Sequence, residues 1–334
     1  MKKRTTIQDV AQMAGVSKAT VSRTLSGDYP VSKKTQEAVR RAVHSLGYTA
    51  SIRARSLATG RSDAIAVIIS EPLDTFFADP TFSRILRGIT DGLAGTSIVP
   101  VLVPTATYEE QKKAIRLITN QAVDAVIHLS PWADEGLLNS LSQHNIPVVV
   151  CGQDDQRAPH SPDFSHVYSD DKSGAAQAAL HLQTQGAAEP IAILGVPNQP
   201  AATDRYQGYL EVFPHLDESH VRWGGWSEAA GADAMKDILK GGVPFDSLLA
   251  ASDRIARGAI AVLENEGLKV PDDILVVGYD DHPTATETSP QLTTVSQPMH
   301  EQGRVACRVA QEMIDGARAR VVLLNTELHV RETA

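Results

Sequence analysis

Apolar residues near the start of the chain recur at the spacing of short amphipathic helices. Residues 7–14 carry apolar side chains at the i, i+3, i+4 and i+7 positions, and Gly15 can supply the turn that follows. Ser17 can cap a second helix, and Ser32 can cap a third helix that Gly47 closes. Short helices joined by a glycine-containing turn predict a helix-turn-helix unit.

The same spacing predicts which sides of the second and third helices are buried. Val21 and Leu25 stand four residues apart and indicate the inner side of the second helix. The third helix is expected to bury one apolar stripe, consisting of Ala38, Val39, Ala42, Val43 and Leu46. Together these faces would close a small three-helix core.

Beyond residue 63 the pattern changes to short β-branched runs that alternate with helix-like stretches. The runs are residues 64–70, 125–130, 146–152, 190–196, 247–252 and 273–280. Alternating strands and helices imply parallel sheets, and ligands bind beyond the carboxyl ends of such strands. Polar or aromatic residues do follow these runs, among them Phe76, Phe77, Asp79, Arg205, Ser252, Asp253, Asp280 and Asp281.

Charge is divided unevenly along the 334 residues, whose formal net charge is -9. Residues 1–62 hold 12 Lys and Arg against 3 Asp and Glu, whereas the remainder holds 19 against 37. A basic head on an acidic body indicates a polyanionic partner for the head. Two isolated cysteines, no apolar segment behind the basic N-terminus and no long apolar stretch predict a cytoplasmic protein without a membrane span.

The second predicted helix is the candidate DNA-recognition helix, because its first residues would reach base edges in a major groove. Lys18 can donate to guanine O6 and N7, and Ala19 can touch a thymine methyl group. Short hydroxyl side chains suit phosphate oxygens. The head residues expected at DNA are Thr6, Ser17, Lys18, Ala19, Thr20, Ser22, Arg23, Ser32 and Thr35. A three-helix interaction module that binds no DNA is the alternative.

Residues 51–59 predict one more short helix, which carries Arg53, Arg55 and an outward Leu57. A lone short helix has little stability by itself. An apolar wedge beside arginines suits insertion into the minor groove and kinking of DNA. The alternative is a linker helix whose Leu57 packs on the body.

Six segments resemble, in order, the LacI/GalR family of bacterial transcription regulators. They are TIQDVAQMAGVSKATVSRTLSG, VSKKTQEAVRRAVHSLGY, RARSLATG, DRYQGY, VVGYDD and LTTVSQP. The resemblance implies a homodimer whose two heads read a palindromic operator, with Leu57 entering the central minor groove and Ala54 beside it. The chain departs from the usual Pro-Asn pair at Ala50 and Ser51. It also ends without the leucine-heptad tail of the lactose repressor, which favours a dimer.

The resemblance further implies a body like that of periplasmic sugar-binding proteins, with two doubly wound parallel-sheet subdomains and a cleft between them. The expected domains are a helix-turn-helix domain over 1–49, a hinge over 50–62 and an effector-binding and dimerisation domain over 63–334. Chain crossings near residues 163, 294 and 322 would give an N-subdomain of 63–163 and 295–322 and a C-subdomain of 164–294 and 323–334.

By match to the family, the effector-facing residues would be Arg205, Ser252, Asp280 and Gln297, with Trp226 as an aromatic wall. Phe76, Phe77 and Asp79 complete the set that strand ends predict. An arginine–carboxylate pair can hold vicinal hydroxyls through charge-assisted hydrogen bonds. The family usually has Asn in place of Ser252 and often Asp in place of Gly152.

Structural roles remain open alternatives for several of these residues. Arg205 and Asp280 can form a purely structural ion pair. Phe76 and Phe77 can be core or dimer contacts, and Trp226 can be core. Asp253 and Asp281 can cap helices instead of meeting a ligand.

Three functions from different classes are compared. The sequence has no GxGxxG after a strand, no GxxxxGK[ST], no HExxH and no GxSxG, and no cofactor or metal is expected. The favoured function is a DNA-binding repressor controlled by a small ligand, with a sugar or polyol ahead of a purine-like corepressor. A solute-binding protein and a sugar-processing enzyme with a DNA-binding head are the alternatives.

Overall fold

A computed structural model describes residues 5–26, 30–48, 60–129, 135–152, 164–287 and 289–334. The chain forms two compact units, Met1–Ser62 and Asp63–Ala334. The predicted hinge contacts of Ala54, Arg55 and Leu57 lie outside the described residues. No helix in the described part of the chain is long and apolar enough to cross a membrane.

The described residues of the N-terminal unit form three helices, α1 (Ile7–Ala14), α2 (Lys18–Ser26) and α3 (Lys33–Leu46). Thr6 and Asp9 form a capping box at α1, in which the Thr6 backbone N–H donates to the Asp9 carboxylate across 2.8 Å. Gly15 and Gly47 end α1 and α3 with φ angles of 67° and 56°, a conformation that glycine adopts without steric cost.

The core of this unit is small, and its buried members are Val10, Ala11, Val21, Val39 and Ala42. The expectation that Leu25 is buried is wrong, because its side chain is 41% exposed. Val21 is the α2 side chain that enters the shared core, and the last turn of α2 lies past it. The helix-turn-helix arrangement itself is as the spacing predicts.

The first sheet of the body is fully parallel and has the order β11-β5-β4-β3-β1-β2. Its strands are β1 (Ala64–Ile69), β2 (Val99–Pro104), β3 (Ala125–Leu129), β4 (Val148–Cys151), β5 (Phe164–Ser169) and β11 (Val321–Leu324). The helices of this subdomain are α4 (Leu73–Ala78), α5 (Pro80–Gly92), α6 (Tyr108–Thr119), α7 (Glu135–Ser142) and α13 (Met299–Ile314). Two hydrophobic clusters cover the two faces of the sheet.

The second sheet has the order β12-β10-β9-β8-β6-β7, and only β12 runs antiparallel to its neighbour among the described strands. Its strands are β6 (Pro190–Leu194), β7 (Val221–Trp223), β8 (Ser247–Ala250), β9 (Leu275–Asp280), β10 (Thr293–Ser296) and β12 (Glu327–His329). Its helices are α8 (Asp171–Thr184), α9 (Pro200–Val212), α10 (Glu228–Gly241), α11 (Asp253–Asn265) and α12 (Thr284–Glu287).

The chain crosses between the sheets later than the sequence comparison implied. β5 pairs with β4 and β11, so the first crossing follows Ser169 and not residue 163. β10 pairs with β9, and β11 with β5, which puts the other crossings at 297–298 and 325–326 instead of near 294 and 322. The reason is that strand pairing, which single-strand patterns do not reveal, decides subdomain membership.

Candidate functional site

A cavity of about 330 Å³ lies between the carboxyl ends of the two sheets. Its first wall includes Glu71, Thr75 and Phe82 from the first subdomain, and the facing wall includes Arg205 and Trp226. The volume falls within the range of roughly 300–1,000 Å³ that is usual for small-molecule sites. The cavity therefore lies where a doubly wound topology predicts a ligand cleft.

Arg205 is the central cation of the cleft, and its side chain is 4% exposed. Its Nε donates to Asp171 Oδ1 across 2.9 Å, and its Nη1 lies 3.2 Å from Asp280 Oδ1. Nη1 also donates to the Ala251 carbonyl oxygen. Burial alone would lower the pKa of Arg205. The negative charges of Asp171 and Asp280 raise this pKa by more than burial lowers it, so the guanidinium stays charged.

The Asp171 carboxylate and the Tyr279 ring both hold the Arg205 guanidinium in place. Burial raises the pKa of Asp171, and the charge and hydrogen bond of Arg205 oppose that rise. The Tyr279 ring lies under the guanidinium, with 3.8 Å between Cζ and the ring centroid. An arginine fixed by two carboxylates and a ring face is held rigidly at the cleft floor.

Asp280 ends β9 in an unusual backbone conformation. Its φ is 102° and that of Asp281 is 49°, so two consecutive non-glycine residues occupy the left-handed side of the Ramachandran map. Gln297, in the second crossing, donates from Nε2 to Asp280 Oδ1 across 2.6 Å. Strained residues of this kind concentrate at binding sites, where the surrounding contacts hold them in place.

Trp226 provides a partly buried aromatic wall. A Cβ atom on Gly195 would lie 2.3 Å from the Trp226 ring, so the ring packs directly on glycine backbone. The indole Nε1 donates to Gln199 Oε1, which fixes the ring plane. The ring therefore presents an ordered apolar face beside Arg205, whose Cζ lies 5.3 Å from the ring centroid.

Polar contacts also join the two subdomains across the cleft. Arg254 Nη1 of α11 donates to Asp79 Oδ2 at the start of α5 across 3.2 Å. Thr81 Oγ1 and His282 Nε2 lie 3.1 Å apart, and Arg84 Nη1 donates to the Asp280 carbonyl oxygen across 3.4 Å. These contacts exist only while the subdomains are this close.

Six of the eight predicted effector residues line the cavity, namely Asp79, Arg205, Trp226, Ser252, Asp280 and Gln297. Phe76 and Phe77 do not, and their prediction is corrected. Phe76 is 1% exposed within the hydrophobic core, and Phe77 is 66% exposed on the surface. The Phe76 ring stacks 4.7 Å from that of Phe82, and Phe82 is the phenylalanine at the cavity wall.

Two residues after β8 have structural tasks as well. The Ser252 hydroxyl accepts from the Ile255 backbone N–H across 3.2 Å and so caps α11. The Asp253 carboxylate is buried and accepts from the His282 backbone N–H and the Thr294 hydroxyl. Burial, with help from Asp280, raises the pKa of Asp253 well above its usual value.

Much of the first wall and several residues of the second wall were not predicted from the sequence. The unpredicted residues include Glu71, Thr75, Thr81, Phe82, Tyr168, Ser169, Asp171, Gln199, Arg254, His282 and Gln302. Ser169 ends β5 and Asp171 lies two residues past its end, so recognition of that strand would have found both. Gln302 lies on α13 and has no local signal, since only packing brings it to the cavity.

The candidate DNA-recognition residues lie at the start of α2. Ser17, Lys18, Ala19, Ser22 and Arg23 are exposed, as contact with DNA requires. The Ser17 hydroxyl accepts from the Thr20 backbone N–H across 3.1 Å and caps the helix. Thr6 and Ser32 cap α1 and α3, and the Thr35 backbone N–H donates to the Ser32 hydroxyl. Their contact with DNA stays a prediction.

A helix-turn-helix head joined to a two-sheet body with a ligand-sized cleft defines a transcriptional regulator. Residues 6–51 match the family model described as "Bacterial regulatory proteins, lacI family", and residues 179–334 match a periplasmic binding protein-like domain. The chain belongs to the LacI family, which is a family of transcriptional regulators and not of enzymes.

Curated relatives and solved structures match along nearly the whole chain. The regulator CelR of Thermobifida fusca is 33% identical to this chain over 99% of both chains. The ribose operon repressor of Halalkalibacterium halodurans is 31% identical over 98% of this chain and 97% of the repressor. The CelR–cellobiose complex is 32% identical with a TM-score of 0.78, covering 99% of this chain and 100% of its own. The Lac repressor dimer bound to operator and the anti-inducer ONPF is 28% identical with a TM-score of 0.85, covering 99% of each.

Proposed function

We propose that this regulator is a repressor that binds a pseudo-palindromic operator as a homodimer. When a sugar or polyol enters the cleft, the repressor either releases the operator or binds it more tightly. The observation that carries the proposal is the Arg205 cluster, with Asp171, Asp280 and Trp226 converging on a cavity between two subdomains. Charged partners beside an aromatic face are the chemistry that recognises hydroxyls on one side of a sugar ring and C–H groups on the other.

The proposed DNA interface begins with the exposed start of α2. Lys18 and Ala19 would read base edges, and the hydroxyls of Ser17, Thr20 and Ser22 would meet phosphates. Two such helices one turn of DNA apart would span an operator of about 14 to 20 base pairs. The Lac repressor structure, solved as a dimer on operator, supports this arrangement.

The hinge contacts remain part of the proposal on sequence grounds. Leu57 would enter the central minor groove, with Ala54 and Arg55 beside it. Replacement of Leu57 by Ala should weaken specific binding far more than non-specific binding. Equal losses on the two kinds of DNA would contradict the wedge role.

The proposed effector is a sugar or polyol, and two relatives whose names include a sugar support it. One solved relative is a complex with cellobiose, and another curated relative is a ribose operon repressor. A ligand bound between the walls would favour the closed arrangement of the two subdomains. The shift in DNA binding can be only as large as the ligand's differential affinity for the two states.

A thermal-shift screen against sugars, polyols and nucleobases, followed by operator titration with each hit, tests the proposal. A ligand at about 100 times its Kd should add roughly 2.7 kcal/mol, which is worth about 5–10 °C in Tm. Trp226→Ala should abolish the shift. Trp223→Ala is the matched control, because Trp223 is half-exposed and not among the residues that line the cavity.

Each outcome of the screen has a defined meaning. A sugar hit that changes operator affinity supports the proposal. A hit from a nucleobase alone would replace the sugar with a purine-like corepressor. A hit that survives Trp226→Ala would place the ligand outside the cleft and contradict the proposal.

A further inference from the structure

The charges that face the cleft are predominantly negative. Among its described lining residues, the carboxylates are Glu71, Asp79, Asp171 and Asp280, and the guanidinium groups are Arg205 and Arg254. With histidine counted as neutral, these lining residues carry a formal excess of two negative charges. A ligand that entered with its own negative charge would meet this excess where solvent screening is weak.

Both cations of the lining are already paired with carboxylates of the protein. Arg205 has Asp171 at 2.9 Å and Asp280 at 3.2 Å. Arg254 has Asp79 at 3.2 Å. A phosphate that took the Arg205 guanidinium would leave buried carboxylates beside a dianion, and one that took Arg254 would leave the half-buried Asp79. Removing one partner of a buried ion pair is strongly unfavourable, because the remaining charge stays desolvated.

Four helix N-termini near the cavity, which would otherwise attract anions, each have one backbone N–H capped by a side chain. Side-chain oxygens of Asp79, Asp170, Ser227 and Ser252 accept the first backbone N–H groups of α5, α8, α10 and α11. Asp171, Glu228 and Asp253 add carboxylates in the first turns of the last three. α9 begins with Pro200, which has no N–H to offer.

The cleft does offer hydrogen-bonding atoms that a hydroxyl can satisfy. Ser169 Oγ and His282 Nδ1 are buried and have no hydrogen-bond partner among the described residues, and both residues line the cavity. An unpaired buried polar atom costs free energy until a partner arrives. A hydroxyl both donates and accepts, so it matches Ser169 and either tautomer of His282.

We infer that the cleft selects an uncharged polyhydroxyl ligand and rejects the phosphorylated form of the same sugar. The inference rests on the proposed function, since it takes the cleft as the effector site. It goes further by excluding sugar phosphates, which keep every hydroxyl group of the parent sugar but one. The discrimination comes from the carboxylates that pair with Arg205 and Arg254, the two arginines of the described lining, and from the side chains that cap four helix N-termini there.

Calorimetric titration of the full chain with matched pairs tests the inference. The pairs are cellobiose and its 6-phosphate, glucose and glucose 6-phosphate, and ribose and ribose 5-phosphate, at pH 7.5 where the ester is mostly a dianion. For the pair whose neutral member binds, we expect the phosphate to bind at least about a hundredfold more weakly. Equal or tighter binding of the phosphate would overturn the inference and leave the cleft as the effector site intact.

A charge variant identifies the cause of the discrimination. Glu71→Gln removes one negative charge of the wall with little change of shape and should narrow the ratio of the two Kd values by up to about tenfold. Glu109→Gln, on an exposed part of α6, is the control and should leave the ratio unchanged. An unchanged ratio in Glu71→Gln would overturn the electrostatic explanation. Failure of both members of every pair to bind would instead contradict the sugar effector itself.

Discussion

Arg331 Nη2 donates to Asp281 Oδ1 across 2.6 Å and ties the C-terminal segment to the turn that follows β9. His329 of β12 reaches the other oxygen of Asp281 across 3.1 Å. Asp281 is one of the two consecutive residues with positive φ, and its neighbour Asp280 is in the cleft. The two contacts therefore join the segment beyond the third crossing to the residue that follows Asp280, whose carboxylate holds Arg205.

Arg331→Met should weaken effector binding by about tenfold, because Asp280 would no longer be held in its strained conformation. Calorimetry with the ligand found in the screen measures the change, and Tm measures any loss of fold. Arg331→Lys, which keeps the charge, should recover part of the affinity.

The control for this variant is Arg320→Met, which breaks a half-exposed ion pair with Glu312 in the neighbouring segment. It should leave the ligand Kd unchanged. If Arg331→Met lowered Tm while leaving the Kd as it was, Arg331 would be a structural anchor and not a positioning residue.

The ion pair between Asp79 and Arg254 should stabilise the closed cleft, since its partners lie on different subdomains. Arg254→Met is expected to shift the ligand-free protein toward an open form, raising its radius of gyration in X-ray scattering and the ligand Kd by about 3- to 10-fold. Arg257→Met, one turn along α11 and paired within the same subdomain with Glu228, is the control. Identical scattering from both variants would argue against a closing role.

Gly88 permits the close contact between α5 and α13. A Cβ atom there would lie 1.9 Å from the His300 carbonyl oxygen, which no side-chain rotation can relieve. Gly88→Ala should lower the free energy of unfolding by about 1–3 kcal/mol. Gly136→Ala in α7, where nothing lies within 4 Å of the added Cβ, should be neutral or slightly stabilising. Urea denaturation compares the two, and equal stabilities would contradict the packing argument.

Both cysteines should be inert in the native protein. Burial raises the pKa of the Cys307 thiol to about 12, and burial together with Cys307 raises the pKa of Cys151. Because the thiolate is the reactive form, a thiol with a raised pKa stays protonated and unreactive at pH 8. A colorimetric disulfide reagent should therefore report no thiol until denaturant is added. Rapid reaction of either thiol in buffer alone would disprove the assignment.

Lys18→Ala should relax the preference for one symmetric base pair of the operator by about 1–3 kcal/mol if Lys18 contacts a guanine bidentately. Competition binding with operators substituted at each position measures this change. Lys34→Ala, an exposed lysine near the start of α3, is the control and should change all sequences alike. An unchanged base preference in Lys18→Ala would remove Lys18 from the readout.

The head could be predicted closely from the sequence because its determinants are local. Thr6 and Asp9 of the capping box are three positions apart, and Gly15 ends α1 by its own conformational freedom. Apolar spacing also predicted Val21 as core. The same spacing wrongly predicted Leu25 as core. The number of side chains that pack against the end of α2 depends on the folded unit as a whole, and spacing along one helix does not reveal it.

The cleft was predictable where a polar residue follows a strand that the pattern reveals. Asp280 and Ser252 were identified in this way, and resemblance to the family indicated Trp226 and Gln297. Phe76 and Phe82 are six positions apart on neighbouring helices, and nothing in their spacing says which faces the cavity. In the structure Phe76 is buried in the hydrophobic core, and Phe82 lines the cavity.

The tertiary structure decided the contacts that join distant parts of the chain. Asp171 meets Arg205 across 34 positions, Asp281 meets Arg331 across 50, and Thr81 meets His282 across 201. Caps and turns involve a few bonds of backbone, so residue type and spacing determine them. Pairs of this separation depend on which strands are neighbours and on how closely the two subdomains approach, and those are properties of the folded chain as a whole.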